Sequence, residues 1–135
     1  MNEALTGTFR LLRQVNGVGA YATADVEVRI DPSGTQPASS SLDLDAGGPR
    51  LLDEEREAAL SGAQDALGLL APHDARLAHA QVIVKRVGIN DADTEPSAIR
   101  AATAAAVADA VGMGRNFSLR FDNGWKFSIT ENPSA

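Results

Sequence analysis

From Ala78 to Val111 the chain reads as an apolar strand, a tight acidic turn and a helix, and this succession constrains the fold more than any other stretch. Within Ala78 to Val87, Val82, Ile83 and Val84 place β-branched side chains at successive positions, so both faces of the strand must be covered. Such a strand belongs inside a sheet. The turn runs Gly88-Ile89-Asn90-Asp91-Ala92-Asp93-Thr94-Glu95-Pro96. Pro96 suits the first turn of a helix, where its missing donor would have had no partner. Asp93 or Thr94 is placed to accept a hydrogen bond from the first free amides. Beyond them Ile99, Ala102, Ala106, Val107, Ala110 and Val111 recur at helical spacing, which predicts one apolar face with Arg100 and Asp109 away from it. Gly112 is positioned to end the helix in a left-handed cap.

At 135 residues the chain suits a single domain spanning 1–135 with one core. The absence of cysteine excludes disulfides, thiolate zinc sites and cysteine nucleophiles, and agrees with a cytosolic setting. No apolar stretch approaches the roughly 20 residues that cross a bilayer. Met1 to Ala20 lacks the basic start and apolar run of a secretory signal, so the expected location is the cytoplasm. A formal net charge of −6 opposes nucleic acid in general, which makes any RNA contact a local affair.

Leu5, Gly7, Phe9 and Leu11 alternate with Thr6, Thr8 and Arg10, predicting a first half-buried strand. After a break at Gly17-Val18-Gly19, Ala22, Ala24, Val26, Val28 and Ile30 alternate with Thr23, Asp25, Glu27 and Arg29. The two stretches form a plausible antiparallel pair. Asp31 to Ser41 is rich in Pro, Gly and Ser and reads as a mobile loop, followed by a short third strand around Leu42 and Leu44. Ala46-Gly47-Gly48-Pro49 leads into a helix from about Leu52 to Leu70, with Asp53, Glu54 and Glu55 at its positive end. Its buried stripe is Ala59, Ala63, Ala66, Leu67 and Leu70, and Gly62 lets a neighbour approach closely. Gly62 and Gly68 each weaken the helix by roughly 1 kcal/mol relative to alanine, a loss that packing must offset. The chain closes with Phe117, Leu119 and Phe121, the turn Asp122-Asn123-Gly124-Trp125, then Phe127 and Ile129. Asn-Gly readily takes the positive φ angles of a type I′ turn, so this is a hairpin. It either extends the sheet and buries its aromatics or exposes an apolar strip to a partner.

The order strand, Gly-rich break, strand, loop and short strand, helix, strand, acidic turn, helix resembles domain IV of translation elongation factor G, over roughly Phe9 to Val111. Gln14-Val15-Asn16-Gly17-Val18-Gly19-Ala20-Tyr21 looks like that domain's Gln-x-Gly-Gly-x-Gly-x-Tyr stretch, and Asn90-Asp91-Ala92-Asp93-Thr94-Glu95 looks like its His-Asp-x-Asp-Ser-Ser turn. Glu57-Ala58-Ala59-Leu60-Ser61-Gly62-Ala63 sits where the family has an Ala-Val-x-x-Gly helix. The resemblance implies an α+β fold of the ribosomal protein S5 domain 2-like type, a mostly antiparallel sheet with two helices on one face. Residues 112–135 add the C-terminal β-hairpin as an extension, where the full-length factor would continue into another domain, so the chain is expected to be an autonomous unit. In the family the two loops form a tip that enters the ribosomal decoding centre. The resemblance therefore implies an RNA-binding tip of Asn16, Gly17, Val18, Gly19, Tyr21, Asn90, Asp91 and Asp93. Val18 stands where the family has a basic tip residue and Asn90 where it has a histidine, and each change removes a contact that the family's side chain could make to RNA.

Other residues carry weaker chemistry. Gly17-x-Gly19 has no following helix start or lysine to make a phosphate cradle, and reads better as a turn. Asp91, Asp93 and Glu95 match the first ligands of a calcium loop but lack its glycine and closing glutamate. His73 and His79 lack a second histidine at ligand spacing and read as ordinary surface residues. Arg10, Arg13, Lys85 and Arg86 are candidates for a basic patch on neighbouring strands, unless Arg10 and Arg13 pair with Glu27 and Asp25. There is no Gly-x-x-x-x-Gly-Lys-Ser/Thr loop and no assembled nucleophile, base and oxyanion donor. The expectation is a non-catalytic module with no cofactor and no metal, bound to the ribosome or structured RNA. The rival is a protein-interaction or homo-oligomeric module, associating through the C-terminal hairpin. A small enzyme using Asp91 and Asp93 is the third and weakest reading.

Overall fold

The two alternating stretches near the N-terminus form one long antiparallel ladder, β1 (Glu3–Val15) with β2 (Val18–Ile30). These strands belong to a computed structural model that describes residues 3–15, 18–44, 50–89, 95–121 and 124–129. The period of two is obeyed: Ala22, Ala24, Val26, Val28 and Ile30 are buried, and Thr23, Asp25 and Glu27 lie half-exposed on the other face. The expected break at Gly17-Val18-Gly19 is shorter than the sequence suggested, because β2 already begins at Val18, paired with Val15.

β4 (Ala80–Gly88) lies inside the sheet, antiparallel to β2 and parallel to β3 (Ser39–Leu42), in the order β1-β2-β4-β3. Val82 and Val84 are fully buried on the helix side, and Ile83 is 6% exposed on the opposite face, outside the main core cluster. The third strand falls earlier than expected. Leu42 pairs with Val84 and Asp43 donates to the Val84 carbonyl at 3.0 Å, which leaves Leu44 beyond the strand and packed against the core. Serines 39 to 41 hid it, since their hydroxyls suit loops as readily as a short edge strand.

α1 (Asp53–Leu70) starts where expected, with Asp53, Glu54 and Glu55 in its first turn and the Glu55 carboxylate accepting from the Leu52 amide at 2.7 Å. Its predicted stripe is buried in full, together with Ala58 and Gly62. α2 (Pro96–Ala110) has Pro96 in its first turn, but its capping residue is Glu95, whose side chain makes no cap bond. Asp93 and Thr94, the expected caps, lie outside the described residues. At the other end Gly112 takes φ +78°, and Met113 and Gly112 donate to Ala108 and Asp109 at 2.8 and 3.1 Å, a Schellman cap.

The single apolar face predicted for α2 is the main correction. Ala98, Ile99 and all of 101–108 are buried. The sheet covers one side, where a Cβ on Gly7 would lie 2.1 Å from the Ala106 carbonyl oxygen. α1 covers another, where a Cβ on Gly62 would lie 2.2 Å from the Arg100 carbonyl oxygen. A near-continuous alanine surface is what permits contact this close from several directions. At Gly68, by contrast, an added methyl would have nothing within 4 Å. Gly68→Ala should therefore gain close to the full helix-propensity difference, about 1 kcal/mol, read as a higher thermal midpoint.

The remaining side of α2 is covered by a separate two-stranded sheet, β5 (Phe117–Phe121) and β6 (Trp125–Ile129). The hairpin does not extend the main sheet. It buries its apolar side instead: Trp125 is 5% exposed, its amide donates to Ser97 Oγ at 2.9 Å, and Phe117 stacks on Phe127 at 5.3 Å. Asp122 and Asn123, in the predicted turn, lie outside the described residues.

β1 forms one edge of the main sheet over 13 residues, long enough to recruit another strand. One of its amides is occupied, since Thr8 N–H donates to Asp109 Oδ2 of α2 at 3.0 Å. Asp109→Ala should cost about 1 kcal/mol. It should also produce concentration-dependent self-association in sedimentation velocity, because the opened edge can pair.

Candidate functional site

β4 leaves the sheet at Gly88, which is paired with Thr23, whereas β1 and β2 continue. Val18, Gly19, Ala20, Tyr21 and Ala22 pair only with Val15, Gln14, Arg13, Leu12 and Leu11. At about 3.3 Å per residue the β1–β2 hairpin projects roughly 16 Å past the end of β4. Since β2 and β4 are antiparallel, the chain also leaves β4 for α2 at that same end. The two stretches that carry the family resemblance are thereby attached to one end of the sheet.

Of the eight tip residues, Val18, Gly19 and Tyr21 stand on β2, and Tyr21 is half-buried. Asn16, Gly17, Asn90, Asp91 and Asp93 lie outside the described residues. Directly opposite Tyr21 is Leu12, a large apolar side chain 62% exposed. Sequence reasoning missed Leu12; the signal was a second leucine beside Leu11, which alternation must turn to the outer face.

The basic patch is not assembled as four cations. Arg10 stands on the outer face opposite Thr23, and Arg86 two residues further along β2, opposite Asp25. Asp25 itself accepts from the Thr8 hydroxyl at 2.6 Å, and Glu27 pairs with Arg29 of its own strand. Neither acid is bound to Arg10, so the cross-strand pairing that would have neutralised it does not form. Lys85 sits at the register shift between Asp25 and Val26 and reaches Asp43 Oδ2 at 3.0 Å, toward β3. A bulge redirects one side chain out of the alternation, which is why spacing alone misplaced it. Arg13 is on β1 opposite Ala20.

The opposite end of β2 carries a second polar arrangement. Asp31 accepts from Ser33 Oγ at 2.6 Å and from the amides of Ser33, Thr35 and Gln36 at 2.9, 3.2 and 3.1 Å. The Ser33 hydroxyl, then the amides, hold this carboxyl down at about 2. His79 donates through Nδ1 to the Gln36 carbonyl at 2.8 Å. The stretch expected to be a mobile loop is thus organised around one carboxylate, beside a polar cavity of about 460 Å³. Because the folded-state value lies below the ordinary 3.8, Asp31 stabilises the fold above pH 3.8 and loses that contribution as pH falls toward 2. Asp31→Ala should melt lower than wild type at neutral pH, and the gap should close across that acid window. Asp74 is likewise lowered, chiefly by its hydrogen bond from Arg76, with Nη2 to Oδ2 at 2.7 Å.

Among the described residues no cluster of three or more His, Cys, Asp or Glu could hold a metal ion, and no helix is long and apolar enough to cross a membrane. The projecting end carries an extended ladder with an exposed leucine opposite a tyrosine, and Arg10 and Arg86 lie on the same outer face where β4 is still paired.

No family model and no curated protein sequence matches the chain. Among solved structures, the crystal structure of a Thermus thermophilus protein designated ttk003000868 is similar, with a TM-score of 0.59 at 13% identity. The match covers 93% of this chain and 23% of that one. It shows a shared α+β fold, and the chain spans about a quarter of the length of the protein it matches.

Proposed function

We propose that this chain is a non-catalytic binding module similar to domain IV of elongation factor G, a single cytoplasmic domain that contacts the ribosome or structured RNA in translation. The carrying observation is the projection of the β1–β2 hairpin past Gly88, at the end where β4 turns toward α2. The exit of β4 toward α2 at the end from which the hairpin projects, and the order of the two motif-bearing stretches along the chain, support the reading. Arg10 and Arg86 supply local positive charge for phosphates on a chain of net charge −6. Tyr21 and Leu12 supply a surface against which a base or an apolar side chain packs. The described strands of the C-terminal extension, β5 and β6, cover α2 and have no part in the proposed tip.

Co-sedimentation with ribosomes and separated subunits across a salt series tests the proposal. Saturable, salt-sensitive binding should weaken in an Asn16→Ala/Tyr21→Ala variant that keeps the wild-type circular dichroism spectrum. Absence of binding at low salt would reject it.

A further inference from the structure

A groove of about 760 Å³ runs between the C-terminal half of α1 and β6, with Gly68, Leu69 and Phe127 in its walls and Arg120 and Lys126 beside it. Arg100 also borders the groove, but its charge is already taken by Asp65. Arg120 and Lys126 stand directly opposite each other across the hairpin. Like charges in that position repel. Among the described residues neither has a carboxylate within ion-pair distance. In a chain of net charge −6 this sets two cations side by side with no ion-pair partner among the described residues, where they attract carboxylates.

Gly68 supplies an independent observation. It weakens an exposed part of α1, yet the chain's own packing does not require it, because a Cβ there meets nothing within 4 Å. Without a side chain at this position the groove is deeper than an alanine would leave it. The facing wall is fixed in place: Trp125 is held by Ser97 and Phe127 is stacked on Phe117. A wall already ordered lowers the entropy cost of docking.

We propose that this groove docks a short acidic segment of a partner protein. An apolar side chain of that segment packs beside Gly68, against Leu69 and Phe127, while flanking carboxylates meet Arg120 and Lys126. A peptide is favoured over RNA by the wall chemistry: Trp125 is 5% exposed and offers no open face for stacking a base. The inference stands apart from the ribosomal reading, since it uses no residue of the projecting hairpin.

Selection of random phage-displayed peptides on the full-length chain tests it. Enriched sequences should carry Asp or Glu flanking an apolar anchor. Trp125, the chain's single tryptophan, reports their binding by fluorescence. Affinity should fall roughly tenfold or more in Arg120→Gln/Lys126→Gln. It should fall similarly in Gly68→Leu, which fills the groove while leaving the fold intact by circular dichroism. Tyr21→Ala should bind the peptides as wild type does. No enrichment, enrichment of peptides without acidic residues, or unchanged affinity in Arg120→Gln/Lys126→Gln would overturn the proposal. So would an oligouridine RNA that binds in place of peptide and is lost in the same double variant, which would make the groove a nucleic-acid surface.

Discussion

Gly7→Ala is expected to lower stability by about 3 kcal/mol or more, the upper part of the range for overpacking. The new methyl would lie 2.1 Å from the Ala106 carbonyl oxygen and 2.6 Å from the Ala110 nitrogen, both backbone atoms that no rotamer change can move aside. Relief requires α2 to lift from β1. Since α2 is buried on nearly all sides, lifting it also disturbs the contacts with α1 and the C-terminal hairpin. A glycine inside a strand is ordinarily a weakness that alanine repairs by a fraction of a kcal/mol. Here the close approach outweighs that gain. A chemical denaturation curve measures the effect, with a fall in midpoint at constant slope as the expected form. A midpoint equal to or above wild type would mean that α2 does not lie against Gly7.

Gly62→Ala should be the second largest loss, about 2 kcal/mol net, although helix propensity alone would favour it by about 1 kcal/mol. The added Cβ would sit 2.2 Å from the Arg100 carbonyl oxygen, so α1 and α2 must part. Gly68 lies in the same helix, and the same substitution there meets open space. The pair is therefore its own control: one glycine-to-alanine change should destabilise and the other stabilise. Equal signs would show that propensity, not helix contact, governs both positions.

Much of this architecture was legible where one physical signal dominated. β2 shows because its side chains alternate without exception from Ala22 to Ile30, and β4 because three successive β-branched residues admit only an inner strand. The turn dipeptide Asn123-Gly124 marked the hairpin. α2 was read as one-faced because alanine suits surface and interior alike. The pattern of larger residues at Ile99, Val107 and Val111 showed only the strongest part of a helix buried on nearly all sides. Asn16-Gly17, another dipeptide favoured in tight turns, was read as part of a longer glycine-rich break. Lys85 was misplaced because a bulge leaves no trace in alternation, and Asp31 because Asp-x-Ser was taken as loop composition, not as a carboxylate gathering its own amides. The proposed tip rests on motif order, and strand register places only Val18, Gly19 and Tyr21 of it.

Directed hydroxyl-radical probing is the most direct measure of whether the projecting end is the end that binds. The chain contains no cysteine, so a single one can carry an iron chelate at a chosen site. Leu12→Cys places the probe on the projecting ladder, and Ala4→Cys places it on the same face of β1 near the opposite end, opposite Arg29. The eight-residue step between them separates the probes by roughly 26 Å. With ribosomal subunits present, the Leu12 probe should cut ribosomal RNA at a confined set of nucleotides, and the Ala4 probe should cut there weakly or not at all. Cleavage centred on the Ala4 probe, or none from either, would contradict a binding tip at this end of the sheet.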